Sequence, residues 1–207
     1  DATFGSPINQ QPVKWGVDAV IHSGTKYLGG HSDLICGTVN GSAKMVASAR
    51  NHAVAYGGCL NAQDCYLLER SLKTLELRVR RQSDNAGLIA ATLAADERVK
   101  KVYYPGLEDH PGHAIAARQM QGFGGMLSFE LADDIDPIGY IRRLALVNCA
   151  ISLGGVETTI CQPVATSHQK VSEEERQRLG ITDGLLRLSV GIEDAEDISD
   201  DLLQALG

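Results

Sequence analysis

The chain has 207 residues, 43% of them apolar and 22% charged, which is enough for one well-packed domain or two small ones. Its 19 basic and 26 acidic side chains give a net charge of −7, which offers no electrostatic footprint for nucleic acid. The sequence contains no run of about eighteen apolar residues and does not open on a basic-then-apolar leader pattern. We therefore expect a globular, cytoplasmic protein that binds neither nucleic acid nor a membrane.

The cysteines and histidines do not form a metal-binding or disulfide pattern. The cysteines are odd in number and none forms a C-x-x-C pair, so we interpret them as reduced packing residues. His110 and His113 flank a Pro-Gly pair with no further ligand cluster, which favours a solvated turn. We expect no metal site. The five cysteines are Cys36, Cys59, Cys65, Cys149 and Cys161.

The first third of the chain begins with short strands. The apolar run 18–22 predicts a buried strand, and the Gly/Ser-rich stretch after it predicts a loop. Lys26 therefore lies just beyond a strand end. A second apolar run, residues 34–39, predicts another strand, and residues 43–49 are typical of a helix.

A long amphipathic helix is predicted to follow from Ala62. Leucines and a valine recur at helical spacing with arginines and lysines between them, and the pattern continues to Leu93 with a bend predicted near Gly87. A helix of this kind often joins two domains. We place one domain at residues 1–75 and a second at residues 76–207.

The last half of the chain interleaves strands with helices. Residues 99–104, 126–131 and 185–192 predict strands, and the last of these alternates Leu186, Leu188 and Val190 inward against Arg187, Ser189 and Gly191 outward. Helices are predicted after Pro137, after a capping box at Ser172, and after a cap at Asp194. Three strands among helices predict a small α/β domain.

The segment that contains Lys26 has the composition of a phosphate-binding site. A lysine in a loop is usually a solvated surface charge. Here the hydroxyls of Ser23 and Thr25 could bind a phosphate, and neighbouring glycines would let the backbone approach it. Those glycines are Gly24, Gly29 and Gly30.

An amine next to a phosphate site suggests Schiff-base chemistry with a phosphorylated aldehyde. The aldehyde that serves enzymes in this way is pyridoxal phosphate, which accepts electrons from carbanions. It does so best when a carboxylate keeps its pyridine nitrogen protonated. Asp1, twenty-five positions before Lys26, is the candidate carboxylate.

Five stretches of the sequence together resemble one enzyme family. Residues 1–7 (DATFGSP), 22–33 (HSGTKYLGGHSD), 72–78, 152–157 and 184–194 resemble, in order, signatures of the cysteine/methionine-metabolism enzymes that use pyridoxal 5'-phosphate. This family includes cystathionine γ-synthase, the cystathionine lyases, methionine γ-lyase and the O-acylhomoserine sulfhydrylases. The resemblance implies an α/β fold, the PLP-dependent transferase fold type I. This chain would correspond to the C-terminal portion of the large cofactor domain with a small C-terminal α/β domain.

The resemblance assigns cofactor roles to four residues. Lys26 matches the lysine that forms the Schiff base and moves protons between substrate carbons. Asp1 matches the carboxylate on the pyridine nitrogen. Ser23 and Thr25 match ligands of the phosphate.

Two more residues match substrate-binding positions. Arg187 matches the arginine that holds the substrate's α-carboxylate, and Ser152 lies beside it. The residue pattern agrees, because Arg187 projects on the face opposite Leu186 and its planar fork suits a carboxylate; a surface arginine at a sheet edge is the alternative. Ile151 stands where family members acting on cystathionine often carry glutamate. An apolar side chain cannot attract the distal ammonium group, which favours methionine, homocysteine or an acylated homoserine.

The expected function is elimination or replacement at the β- or γ-carbon of sulfur amino acids or O-acylhomoserine, between which the residues do not choose. The partner is a small amino-acid substrate. Because the family builds each site from two subunits, we expect a homo-oligomer, a dimer or a tetramer. The chain opens at Asp1 with no initiator methionine, so the alternative is a catalytically incomplete fragment that lacks the N-terminal half of the site. A binding or regulatory homologue is a further alternative, which Lys26 argues against.

Overall fold

The computed structural model describes residues 1–207 as eight helices and seven strands. The helices are α1 Ser6–Asn9, α2 Ala43–Tyr56, α3 Ala62–Leu72, α4 Leu75–Ala94, α5 His113–Gln119, α6 Pro137–Arg143, α7 Glu173–Arg178 and α8 Ala195–Gln204. The strands are β1 Ala19–Ser23, β2 Gly37–Gly41, β3 Val99–Tyr103, β4 Met126–Leu131, β5 Asn148–Cys149, β6 Thr159–Cys161 and β7 Leu185–Ser189. None of the helices combines the length and apolar character that crossing a bilayer requires.

The strands form two separate sheets. β1 and β2 pair antiparallel, with Ala19 opposite Gly41 and Ser23 opposite Gly37. The other five strands form one sheet in the order β3-β4-β7-β6-β5, antiparallel except for the parallel pair β5 and β6. The predicted mixed α/β class is confirmed. β5 and β6 were not predicted, because two or three residues are too few to show a period.

The five-stranded sheet holds the main core. Twenty buried residues form one cluster that includes Phe129, Leu186 and Leu188, each fully buried, and both α4 and α8 pack on it. The prediction that Ser189 faces outward is wrong, since only 1% of it is exposed. Its hydroxyl accepts a hydrogen bond from the N–H of Gly154, so the polar side chain is paired within the fold.

The long predicted helix is two helices. α3 ends at Leu72, the N–H groups of Lys73 and Thr74 bond back to Arg70 and Ser71 in tighter turns, and α4 begins at Leu75. The bend predicted near Gly87 is absent, and α4 runs through this position to Ala94. Leucine periodicity continues across the break, which is why the sequence pattern did not reveal it.

A second, smaller apolar cluster lies beside β1. It joins five buried residues from three segments: Tyr27, Leu28, Leu75, Val79 and Leu153. The predicted loop after β1 is in fact a wide helical turn, Gly24–Leu28, which we call the Lys26 turn. α2, by contrast, has no buried residue along its whole length.

Candidate cofactor and substrate site

The Lys26 turn presents its lysine from an anchored backbone. Tyr27 is only 2% exposed and Leu28 6%, so both sides of the turn are fixed by packing. The N–H of Gly29 bonds to the carbonyl of Gly24 at 2.8 Å, and that of Gly30 to the carbonyl of Lys26 at 2.7 Å. Lys26 itself departs from helical geometry, with φ −90° and ψ −127°. The chain therefore turns at Lys26 and leaves its side chain half-buried rather than in open solvent.

The Lys26 amine meets a residue 126 positions away in the sequence. Its Nζ donates to Oγ of Ser152 at 3.2 Å. Ser152 belongs to the segment 151–157, which we call the Ser152 loop. This loop presses against the Lys26 turn, because a side chain at Gly154 would place its Cβ 2.8 Å from the backbone nitrogen of Tyr27. Gly154 also has a φ of 76°, which favours glycine.

Arg187 completes a group with Lys26 and Ser152. It lies in the middle of β7, and its guanidinium donates to the carbonyl of Ile151 at 2.5 Å and to that of Ser152 at 3.5 Å. Burial lowers the pKa of Lys26, and the neighbouring charge of Arg187 lowers it further. Two cationic groups side by side favour an anionic ligand, and a lowered pKa leaves more of the amine neutral and nucleophilic.

A second group connects Asp1 to the strand that leads into the Lys26 turn. The Asp1 carboxylate accepts from the N–H of Thr3 at 2.8 Å and from its hydroxyl at 3.2 Å. Oγ1 of Thr3 in turn accepts from the N–H of Ser23 at 2.8 Å, a bond that uses the backbone of Ser23 and not its hydroxyl. Sequence reasoning missed Thr3. The available signal was the Asp-x-Thr spacing, which is typical of a side chain that bonds to the backbone two residues on.

Thr25 is tied to the start of β2. Its Oγ1 accepts from the N–H of Cys36 at 3.1 Å, and its own N–H donates to the carbonyl of Cys36 at 3.2 Å. The thiol of Cys36 lies against Gly24, where a Cβ would collide with it. Burial raises the pKa of this thiol, and Asp64 and Cys65 raise it further, so it stays protonated. Cys36 was predicted only as a packing residue, yet it lies directly beneath the glycine between Ser23 and Thr25.

The structure thus gathers five of the six predicted site residues into two neighbouring groups, and the sixth, Thr25, lies between Ser23 and Lys26 in the chain and bonds to Cys36. Direct contacts join Lys26, Ser152 and Arg187, and hydrogen bonds through Thr3 join Asp1 to Ser23. The two groups meet because Ser23 ends β1 and Lys26 follows three residues later. An amine of lowered pKa, a carboxylate and hydroxyls form a set of groups whose chemistry fits a phosphorylated aldehyde such as pyridoxal 5'-phosphate.

Other parts of the molecule do not compete with this site. No group of three or more His, Cys, Asp or Glu side chains is arranged to hold a metal ion. His113 bonds to the carbonyl of Pro105 and stacks on Phe123. A cavity of about 340 Å³ lies against His22 and Val20. These two side chains point away from Ser23 because alternate strand residues face opposite sides.

Comparisons with known proteins agree along the whole chain. The family model described as Cys/Met metabolism PLP-dependent enzyme matches residues 1–207. The chain is 47% identical to cystathionine beta-lyase of Lactococcus lactis subsp. cremoris (strain MG1363) and 46% identical to chloroplastic cystathionine gamma-synthase 1 of Arabidopsis thaliana, each over 207 residues. All of this chain is matched in both, but it spans only 54% and 37% of their respective lengths.

A solved structure shows the same fold. Cystathionine gamma synthase from Xanthomonas oryzae pv. oryzae, solved in complex with cystathionine, superposes with a TM-score of 0.95 at 44% identity. The match covers 100% of this chain and 54% of that one.

Proposed function

The chain belongs to the Cys/Met metabolism PLP-dependent enzyme family, and from that membership we propose that it catalyses elimination or replacement at the β- or γ-carbon of a sulfur amino acid or an O-acylhomoserine. The observation that carries the proposal is the contact of Lys26 Nζ with Ser152 Oγ at 3.2 Å. Arg187 also binds this segment, through the carbonyls of Ile151 and Ser152. An amine of lowered pKa thus stands beside a guanidinium that forms no salt bridge with a carboxylate.

Four residues would hold the cofactor. Pyridoxal 5'-phosphate, when bound, supplies an electron sink for the carbanion that forms when the substrate loses its α-proton. Lys26 would be its point of covalent attachment, Ser23 and Thr25 would bind the phosphate, and Asp1 would pair with the pyridine nitrogen. The two bonds from Thr3 hold the Asp1 carboxylate in one orientation, which suits it to that pairing.

Lys26 and Arg187 would have different roles towards the substrate. Arg187 would hold the α-carboxylate bidentately, which places the α-carbon beside the Lys26 amine. The neutral amine would then take the α-proton and return it further along the substrate side chain. Ser152 would keep Nζ in position through its hydroxyl while the carboxylate binds.

The leaving or entering group is the finer part of the proposal. Relatives named as a lyase and as a synthase are 47% and 46% identical to this chain, so identity does not separate elimination from replacement. Ile151 is 61% exposed beside the Arg187 contact and offers no charge to a distal ammonium group. This supports a substrate with an uncharged side chain, such as methionine, homocysteine or an acylated homoserine.

Trapping of the cofactor tests the central assignment. The purified chain would be mixed with pyridoxal 5'-phosphate, reduced with borohydride, digested and mapped by mass spectrometry. We expect the label on Lys26, and we expect the Lys26→Ala variant to lose it while the exposed-site control Lys73→Ala keeps it. Equal labelling of several lysines, or undiminished turnover by Lys26→Ala in the active enzyme, would overturn the assignment.

The role of Arg187 has its own test. Arg187→Lys keeps the positive charge but loses the planar fork, so we expect KM for the amino acid to rise by about tenfold or more, with trapping on Lys26 retained. Arg187→Ala should in addition raise the pKa of Lys26, because it removes the neighbouring charge. An unchanged KM in Arg187→Lys would remove Arg187 from the substrate site.

We also propose that the protein is a cytoplasmic homo-oligomer, a dimer or a tetramer. Val46, Val54 and Tyr56 of α2 are 38%, 64% and 85% exposed, more apolar surface than one helix usually leaves to solvent. A second copy would cover it. Light scattering behind size-exclusion chromatography gives the mass, and a monomer at micromolar concentration would contradict this proposal.

A further inference from the structure

α4 carries three polar side chains along one face, and all three are buried. Arg78, Gln82 and Asn85 are four and three residues apart, the spacing at which helical side chains share a face. Their exposed fractions are 4%, 0% and 1%. Burial of a guanidinium and two amides is costly unless their N–H groups are paired, so their partners indicate what they do.

Arg78 binds the end of the Lys26 turn. Its guanidinium forms no salt bridge and donates instead to the carbonyls of Tyr27 at 2.8 Å and Leu28 at 3.3 Å. These are the groups that a helical turn leaves unpaired at its end.

The other two bonds of the Arg78 guanidinium, to the carbonyl of Ser71 at 3.0 Å and the hydroxyl of Thr74 at 3.1 Å, hold it to the start of α4. Gly30, at φ 71°, gives the guanidinium its space, because a Cβ there would collide with Nη1. The position of the turn thus depends on Arg78.

Gln82 binds the Ser152 loop. Its Nε2 donates to the carbonyl of Gly155 at 2.7 Å, three residues beyond Ser152. This is the only hydrogen bond that its side chain makes, and its Oε1 is buried without a partner. The buried amide therefore has one paired group, and that group binds the loop.

Asn85 binds the segment that follows β7. Its Nδ2 donates to the carbonyls of Glu193 at 2.8 Å and Gly191 at 3.2 Å. This segment continues directly from the strand that carries Arg187. Apolar contacts also join α4 to the Lys26 turn and the Ser152 loop. Leu75 and Val79 of α4 share the small cluster with Tyr27, Leu28 and Leu153.

We propose that Arg78, Gln82 and Asn85 are positioning residues that set Lys26, Ser152 and Arg187 relative to one another from a single rigid helix. The inference rests on the proposed function, which gives those three residues their roles. The three segments are also joined in series, because Val156 donates to Gly30 at 2.9 Å and accepts from Ile192 at 2.8 Å. Removal of one donor should therefore loosen its own segment most and the next segment less.

Hydrogen exchange followed by mass spectrometry tests the proposal segment by segment. In Gln82→Met we expect the amides of residues 153–157 to exchange about tenfold faster, and in Asn85→Leu those of residues 190–194. Arg78→Lys, which keeps one donor group, should do the same for residues 27–30. Arg80→Met, on the exposed face of the same helix, should change none of them.

A second measurement reports on the lysine itself. Competitive labelling against pH gives the pKa of Lys26, which should rise in Gln82→Met as the Ser152 loop moves away and water enters. Ile89→Val, a buried change on α4 within the main core cluster, controls for a general loss of stability.

The two proposals fail in different ways. Equal acceleration of exchange in all three segments in every variant, or a Lys26 titration that changes no more in Gln82→Met than in Ile89→Val, would overturn the positioning role. Failure of cofactor trapping on Lys26 would overturn the proposed function and leave the exchange result standing.

Discussion

The two sheets of the molecule differ in how much of their surface they bury. The five-stranded sheet surrounds a core of twenty buried residues, whereas the smaller cluster beside the β1–β2 pair has five, none of them in either strand. Two of the five come from the Lys26 turn and three from α4 and the Ser152 loop. Lys26 lies in the less buried region. Its order is therefore supplied from outside its own sheet, by the helix and the loop that pack against it.

The largest loss of unfolding free energy is expected for a change in the main core. Phe129 is fully buried and packs edge-to-face on Tyr140 with ring centroids 6.0 Å apart. Phe129→Ala should lower the free energy of unfolding by about 3–5 kcal/mol, through lost transfer free energy and a residual cavity. Urea unfolding measures it. A loss below about 1 kcal/mol would mean that this sheet is not the stable body of the chain.

A smaller effect is expected at Asp201, which holds the loop before β5 to α8. Its carboxylate accepts from the N–H groups of Ala145, Leu146 and Val147 at 2.8, 2.9 and 2.9 Å. Asp201→Ala leaves three donors unpaired and should cost about 2–3 kcal/mol in urea unfolding. Asp200→Ala, on the neighbouring residue, is the matched control and should cost less than about 0.5 kcal/mol.

The same carboxylate makes this contribution depend on pH. Burial alone would raise the pKa of Asp201, but its bonds from the backbone and from Gln204 outweigh burial, and its pKa lies below the usual range. The contribution is therefore complete above the unfolded-state pKa of about 3.9 and is lost as the pH falls through the lower folded-state pKa. The stability difference between wild type and Asp201→Ala should shrink as the pH falls below about 3.9; a constant difference would contradict the assignment.

In the less buried region, a moderate loss of stability is expected when Thr25 is changed. Thr25→Val keeps the shape but removes the acceptor for the N–H of Cys36. We expect a loss of about 1 kcal/mol in unfolding free energy, together with weaker binding of pyridoxal 5'-phosphate measured by its absorbance. Thr25→Ser should restore both. A Thr25→Val variant that binds the cofactor as wild type does would exclude a phosphate role for this hydroxyl.

The smallest effect is expected on α2. Val54 is 64% exposed, and its truncation in Val54→Ala should change the unfolding free energy of the isolated chain by less than about 0.5 kcal/mol. If the oligomer covers this helix, the same change should instead weaken assembly. Unfolding measured at two protein concentrations separates the two outcomes.

The sequence predicted elements where local chemistry decides the structure. The apolar run before Lys26 gave β1, and the caps expected at Ser172 and Asp194 are present, with each side chain accepting from a backbone N–H in the first helical turn. The break between α3 and α4 was missed because an apolar stripe reports which face is buried and not where the backbone hydrogen bonds stop.

In the candidate site, too, local motifs indicated residues but not the contacts between them. Motifs singled out Lys26, Ser152 and Arg187, but no local pattern reports that their side chains meet. Nothing in the sequence singled out Gln82 and Asn85, since a buried donor to a distant carbonyl leaves no periodic signal. Thr3 escaped notice for the opposite reason, because a bond two residues away is common at any turn.

The contact between Lys26 and Ser152 has a consequence for folding. Ser152 lies 126 residues from Lys26, and loop-closure entropy opposes a contact over that separation until other contacts shorten the loop. Burial and the charge of Arg187 lower the pKa of Lys26, and both exist only once these distant segments have come together. The lowered pKa of this amine is therefore a property of the tertiary structure and is absent from the unfolded chain.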